Sequence, residues 1–258
     1  MSEHVRVAIE DNILRLTLAR PEKKNALSMA MYSVLGEALT KAETDPQVRA
    51  ILIAAEGDAF TAGNDLADFA AVASGKLDRK DMTSHLLLNA LARADKPVIA
   101  AVQGLAVGIG VTLLLHCDLV YVAADARLST PFVSLGLVPE AASSWLLQAR
   151  IGYARAYAMM ALGESLDGTT AVTLGIANAA VPASEVRARA LAAAQQVVAR
   201  PIGALQATKR LMRDSEAIRA VMEREGEVFA ARLRTAEAAE ALRAFAERRA
   251  PNFRGIVG

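Results

Sequence analysis

The stretch VRAILIAAEGDAFTAGNDL, Val48 to Leu66, decides the fold class. Val48 to Ala55 is an apolar run of strand length, suited to a strand covered on both faces. A glycine-bearing loop, Gly57 to Phe69, follows it and holds small, hydroxyl and acidic side chains but no histidine, cysteine or phosphate-binding lysine. A buried strand that empties into such a loop points to an α/β protein whose chemistry relies on backbone groups.

Working outward toward the N-terminus, Val5, Val7 and Ile9 alternate with polar neighbours, as do Leu14, Leu16 and Leu18. The two runs flank a short EDN break and predict a strand hairpin with one buried face. Ser28 predicts the cap of a helix whose apolar positions run from Met31 to Ala42 and which ends near Asp45 and Pro46. Toward the C-terminus, helical spacing covers Asp81 to Ala94, KPVIAAV reads as a strand entered through Pro97, Gly104 to His116 as a glycine-entered helix, and DLVYVAA as another strand. From Ser184 to Arg249 helical patterns dominate, broken at ARPIG and near Arg213 to Ser215. The organisation expected is an α/β core over residues 1–195 and a helical C-terminal region over residues 196–258.

A formal charge of +1 gives no electrostatic reason to expect nucleic acid as a partner. With 53% hydrophobic and 22% charged residues, few of them aromatic, the composition is that of a globular chain able to bury a core. Cys117 is the one cysteine, which excludes an internal disulfide and any cysteine-based metal cluster. No metal site is expected. MSEHVRVAIED lacks the apolar core of a signal peptide, and Thr112, His116 and Asp118 interrupt the most membrane-like window, so a cytoplasmic protein without membrane contact is expected.

Three segments, in this order after the hairpin, carry a resemblance: ARPEKKNAL (Ala19 to Leu27), GDAFTAGNDL (Gly57 to Leu66) and VQGLAVGIG (Val102 to Gly110). Together the chain resembles the crotonase, or enoyl-CoA hydratase/isomerase, superfamily from about Val5 to Phe253. The resemblance implies a spiral of ββα units with a helical C-terminal trimerisation region, assembled as a homotrimer or dimer of trimers. It implies an acyl-CoA thioester substrate, with coenzyme A part of that substrate and no separate cofactor. The shared chemistry is stabilisation of a thioester enolate by two backbone N–H groups, which by position belong to Asn64 and Ile109. Amides at a glycine turn and a helix start suit that task, because a developing oxyanion needs preorganised donors. The resemblance also assigns coenzyme A contacts to Lys24, Ala26, Ala62, Gly63, Asp65 and Leu66. Lys23 and Lys24 are equally readable as a solvated pair. Phe253, with arginines such as Arg249, is implied to reach a neighbouring subunit's site.

Hydratases of the superfamily use two glutamates, and the matching positions here are Thr112 and Phe132. Neither side chain can serve as an acid or base at neutral pH. The resemblance leaves Phe132 as a substrate-binding position. Glu140, in PFVSLGLVPEAASSWLL, occupies the place of the single catalytic glutamate of the Δ3,Δ2-enoyl-CoA isomerase branch. Read from its surroundings alone, Glu140 is either a base raised in pKa by Leu135, Leu137, Val138 and the following alanines, or an exposed cap on a helix beginning near Ala141. His116 reads as a hydrogen-bonded core residue, His4 and His85 have no partner motif, and Ser143 and Ser144 lack a nucleophile elbow. Asp68 is either an acyl-pocket residue or a polar helix residue, and Ala71 to Asp81 is expected to form a wall of the pocket. Isomerisation is the function expected. The alternatives are an enoyl-CoA hydratase or other lyase or hydrolase of the superfamily, or a non-catalytic coenzyme A-binding homologue.

Overall fold

The chain begins with β1 (Val5–Glu10) and β2 (Ile13–Leu18), an antiparallel hairpin. Asp11 and Asn12 both adopt positive φ in its turn, the conformation a right-twisted two-residue hairpin requires. On β2, Leu14, Leu16 and Leu18 are buried, but on β1 only Val5 is; Val7 and Ile9 remain exposed. The expected buried face is thus half built, because β1 is the edge of the sheet.

The computed structural model describes residues 3–73 and 83–256. Helix α1 (Met29–Thr44) starts at Ser28, whose Oγ accepts the Met31 N–H, and leads to β3 (Ala50–Ala55), buried throughout. After α2 (Leu66–Ala73), helix α3 (Ser84–Arg93) packs on α1, and β4 (Val98–Val102) continues the sheet. The segment expected as a helix from Gly104 instead opens with a strand, β5 (Leu105–Val107), and turns helical only at α4 (Ile109–Thr112), because Gly108 at φ 56° breaks the run. Then come β6 (Leu119–Ala123), β7 (Arg127–Ser129), α5 (Ser143–Ile151), α6 (Tyr153–Tyr157), β8 (Leu166–Asp167), α7 (Gly168–Thr173) and β9 (Ala179–Val181). The helix expected from Ala141 starts at Ser143, since Ala141 and Ala142 are left-handed.

Strands β1-β2-β3-β4-β6-β9 form one sheet, parallel from β2 onward, and β5-β7-β8 form a second. The later passes of the chain alternate between the two sheets, from β4 to β5, from β6 to β7 and from β8 to β9. That alternation makes the spiral. The C-terminal part is α8 (Val186–Val198), α9 (Ile202–Met212), α10 (Ser215–Arg232) and α11 (Ala236–Ala246), with a further break at Leu233 to Thr235 that the periodicity did not mark. Helix α8 runs unbroken through residues 195 and 196 and lays Val186, Ala190, Ala193 and Ala194 on the sheet; alanines let it approach closely. Lys209 on α9 ties the helices to the core by donating to the Lys96 carbonyl at 2.9 Å and Asp118 at 2.7 Å. Among the described residues no helix is long and apolar enough to cross a membrane.

The α1–α3 contact depends on Gly36, where an added Cβ would lie 2.6 Å from the Leu86 carbonyl carbon. Helix propensity alone predicts that Gly36→Ala stabilises by up to about 1 kcal/mol. Overpacking against backbone costs about 1–3 kcal/mol, so the expected result is a lower thermal midpoint. A raised midpoint would show that the two helices are not held at this distance.

Candidate active site

Three segments meet at Thr61, which is fully buried. Its hydroxyl donates to the Asn25 carbonyl at 2.7 Å and accepts the Gly63 N–H at 3.1 Å. Its backbone N–H and C=O pair with Leu105 and Val107, both at 3.0 Å. Asn25 completes the crossing: its side-chain amide donates to the Glu56 and Ala59 carbonyls, both at 2.8 Å, and its Oδ1 accepts the Arg20 N–H at 2.8 Å. Asn25 sits at φ 54°, a conformation asparagine tolerates better than most residues.

This crossing presents the turn of Gly63 beside β5. At φ 95° a side chain is disfavoured there, and a Cβ would lie 2.9 Å from the Val107 oxygen. The Leu27 N–H donates to the Gly63 carbonyl at 2.8 Å and the Asp65 N–H to the Leu27 carbonyl at 2.9 Å, which turns the Asn64 N–H the other way. Ile109 is the first residue of α4 after Gly108. Neither the Asn64 nor the Ile109 N–H donates to another described residue. Two amides, one at a glycine turn and one at a helix start, are thus left for something else.

Glu140 lies on a cleft of about 720 Å³ together with Asn64, Leu88, Ala141, Met222 and Phe229. The residue is half-buried, yet its Oε1 is fully buried and has no partner. Burial pushes its carboxyl up to about 7; the charge of Glu225 adds to the rise, and the Asn64 side-chain amide opposes it. Tyr32 on α1, fully buried, donates to Asn64 Oδ1 at 2.5 Å. Burial first, and then Glu140 and Asp68, hold the Tyr32 phenol well above its ordinary range, so it stays a donor. Asp68 accepts the Met29 N–H at 3.2 Å at the start of α1, and its carboxyl is raised chiefly by burial.

The reading of Glu140 as an exposed helix cap is corrected here. Helix α5 receives Glu225 instead: its Oε2 accepts the Ala142 N–H at 2.6 Å and its Oε1 the Ser144 N–H at 2.8 Å. Glu225 is itself raised by burial, with those N–H groups pulling the other way. Between the two glutamates, Ala141 at φ 59° and Ala142 at φ 56° are left-handed without glycine, a cost of about 1–2 kcal/mol each. His116 holds this turn from behind. Arg213 can only donate to its Nδ1, at 2.6 Å, so Nε2 carries the proton and donates to the Ala141 carbonyl at 2.8 Å. Burial, with Arg213 beside it, lowers His116 to about 3 and keeps it neutral.

The other sequence-derived positions separate into groups. Lys24, Ala26, Ala62 and Asp65 are joined through main-chain and Arg20 bonds: Ala62 N–H to Lys24 C=O at 2.8 Å, and Arg20 to the Ala26 C=O at 3.2 Å and to Asp65 at 2.7 Å. The Lys24 ammonium is engaged by Asp58 at 2.5 Å. Leu66 packs with Leu137, Leu233 and Ala238, a cluster that Phe229 of the cleft lining also joins. Phe132 and Thr112 are buried and are not among the residues that line this cleft. Phe253 is half-buried beyond α11, and Arg249 is engaged by Glu240 at 2.6 Å and Glu247 at 2.5 Å in its own chain. Of the expected pocket wall Ala71 to Asp81, residues 74–81 lie outside the described residues, as does the start of the helix expected from Asp81. Sequence reasoning missed Asn25, Tyr32 and Glu225. Asn25 carried a local signal, a polar residue in a tight KKNAL turn; Tyr32 and Glu225 act through partners far along the chain.

The family described as Enoyl-CoA hydratase/isomerase matches residues 8–256. Enoyl-CoA delta isomerase 2 of Rattus norvegicus is 32% identical over 96% of this chain, which spans 64% of that protein. The 2,3-dehydroadipyl-CoA hydratase of Escherichia coli is also 32% identical, over 99% of this chain and 100% of its own length. A crystal structure of an enoyl-CoA hydratase/isomerase from Pseudoalteromonas atlantica T6c superposes with a TM-score of 0.91 at 40% identity, covering 97% of this chain and 100% of that one.

Asn25→Ala removes both donors to Glu56 and Ala59 and the acceptor for Arg20, and leaves alanine at positive φ. We expect a loss of about 2–4 kcal/mol, since stranded buried partners cost about 1–3 kcal/mol each and relax in part. Urea unfolding with an unchanged m-value measures it. A loss under about 0.5 kcal/mol would show that the crossing does not hold the loop.

Proposed function

The chain belongs to the enoyl-CoA hydratase/isomerase family, and on that premise we propose that it is a Δ3,Δ2-enoyl-CoA isomerase with Glu140 as its single base. The observation that carries this reading is the unpartnered, buried Glu140 Oε1 on the cleft beside Asn64. A carboxyl lifted to about 7 is a stronger base than an ordinary glutamate and is still half ionised at neutral pH.

Glu140 takes the C2 proton of a 3-enoyl-CoA. The C2–H electron pair moves into a C1–C2 double bond, and charge passes to the thioester oxygen, which the Asn64 and Ile109 N–H groups receive. The dienolate then collapses: the C1–O double bond re-forms, the C2–C3 double bond forms, and C4 takes the proton back from Glu140. The product is the 2-enoyl-CoA, the carboxylate is regenerated, and no water or redox partner is consumed. Lys24, Ala26, Ala62, Gly63, Asp65 and Leu66 are proposed to border the coenzyme A moiety through the main chain, with no separate cofactor.

Hydration would need a second acid–base group, and Thr112 and Phe132 supply none. Glu225, whose charge bears on Glu140, holds the Ala142 and Ser144 N–H groups, one on each oxygen. A non-catalytic role leaves the strained turn at Glu140 and its unpartnered oxygen without use. The subunits are proposed to form a homotrimer or dimer of trimers in the cytoplasm, since exposed Trp145, Tyr153, Tyr157 and Leu162 give the α5–α6 region apolar surface to cover. Multi-angle light scattering at micromolar concentration should give three or six times the chain mass; a monomer removes the assembly.

Glu140→Gln should lower kcat for conversion of 3-enoyl-CoA to 2-enoyl-CoA by about 10²- to 10⁴-fold with little change in KM. In the wild type, kcat/KM should fall tenfold per pH unit below about 7, because only the ionised base accepts a proton. Isomerisation at the wild-type rate in the variant, or faster hydration than isomerisation in the wild type, overturns the reading.

A further inference from the structure

We propose that Glu225 is a positioning residue for Glu140: from α10, its buried carboxylate binds the amides on the far side of the left-handed Ala141–Ala142 turn and so fixes where the Glu140 carboxyl points. The proposal rests on Glu140 being the base. The two oxygens of Glu225 each take one N–H, Ala142 at 2.6 Å and Ser144 at 2.8 Å, so the carboxylate bridges the two amides. The peptide unit that Glu225 binds through the Ala142 N–H is held on its opposite side by the His116 Nε2–H bond to the Ala141 carbonyl. A two-alanine turn at φ 59° and 56° would relax to ordinary backbone without such anchors. Relaxation would carry Glu140 with it, since only Ala141 separates Glu140 from the bonded Ala142.

The same contact sets the charge balance of the cleft. Two carboxyls share one poorly hydrated region, and their surroundings differ. Glu225 has two N–H donors at the start of α5, which favour its ionised form. Glu140 has a buried oxygen with none, so the field of Glu225 falls on the group that must hold the proton between C2 and C4. The other titratable groups around the cleft are Tyr32 from α1, which donates to Asn64, His85 from α3, and Glu216, Arg219, Glu223 and Glu227 on α10. Arg219 is engaged by Glu216 at 3.0 Å, and Arg224, beside Glu225 in sequence, favours the Glu225 charge. Among the described residues, Glu225 both bonds the turn and bears charge on Glu140.

The test uses the full-length protein and 3-hexenoyl-CoA, with pH profiles of kcat/KM for wild type, Glu225→Gln, Glu225→Asp and Glu140→Gln. Glu225→Gln loses the charge and keeps one acceptor, while its NH2 meets an N–H. Its acid limb should move below that of the wild type and its plateau kcat should fall about 10- to 100-fold, with KM changed less than about threefold. Glu225→Asp keeps the charge at shorter reach, so its acid limb should stay near the wild-type position while kcat falls. If Glu225→Gln does not fold, the aspartate variant decides: an unchanged kcat overturns the positioning role. An unmoved acid limb in a folded Glu225→Gln, whatever the thermal midpoint, also overturns it. Those outcomes count only where Glu140→Gln is inactive; an active Glu140→Gln sinks the base assignment and the positioning role with it.

Discussion

The hydrogen bonds of Thr61 are the constraint on which the site depends. One buried residue joins the turn after β2 and the strand that begins the small sheet, using its hydroxyl on Asn25 and Gly63 and its backbone on Leu105 and Val107. A parallel sheet ends in carbonyls and amides that the sheet itself does not satisfy, and here the neighbouring segments satisfy them mutually. Among the described residues, the amides of Asn64 and Ile109 are left without a backbone acceptor at this crossing. The unused donors are therefore a product of how the spiral closes, and they are held in place by the bonds of Gly63 and Asp65 to Leu27 on one side and of Val111 and Thr112 to Gly108 on the other.

The architecture was legible where its cause was local. Val48 to Ala55 is apolar because both faces of β3 are covered, and Ser28 caps α1 because its oxygen reaches the Met31 N–H. The errors share a different cause. Val7 and Ile9 alternate as a buried strand would, but nothing packs on that part of the edge in a single chain. Gly104 to His116 has helix-compatible composition, but the Thr61 pairing draws Leu105 to Val107 into a strand. Tertiary pairing outweighs propensity over so short a run.

Within the candidate site, the loop glycines and Glu140 stood out by type and order in the sequence. What the sequence did not carry was their control. Tyr32 reaches Asn64 across 32 positions, and Glu225 reaches Ala142 across 83. Each sits in an amphipathic helix whose pattern accounts for it fully as a packing or surface residue. Local pattern reports which face of a helix is buried, and it contains no term for the atom that face meets. Lys24 shows the converse: its charge invites a phosphate partner by type, but Asp58 lies within 2.5 Å of it and is held below its usual range by that contact.

The use of alanine at 141 and 142 follows from the same logic. Glycine would adopt φ near 60° without steric cost, and would also leave the turn free to adopt other conformations. Alanine pays for the left-handed geometry and gains stiffness once the geometry is imposed from outside. That imposition comes from His116 in the core and Glu225 in the C-terminal helices, two elements that meet the turn from opposite directions. His116 donates from Nε2 while its Nδ1 accepts from Arg213, which requires the neutral ring, and its burial beside Arg213 keeps it neutral. Below pH 6.5 the unfolded chain binds a proton there that the folded chain refuses until about pH 3, so this group's contribution to stability declines as pH falls through that window. Glu140 has the opposite sign: its folded carboxyl keeps a proton up to about pH 7, so burying it disfavours the folded state increasingly as pH rises from the ordinary carboxylate range toward 7. The turn and its base thus place opposing demands on pH, and the neutral region is where the histidine is unprotonated and the carboxyl is about half ionised.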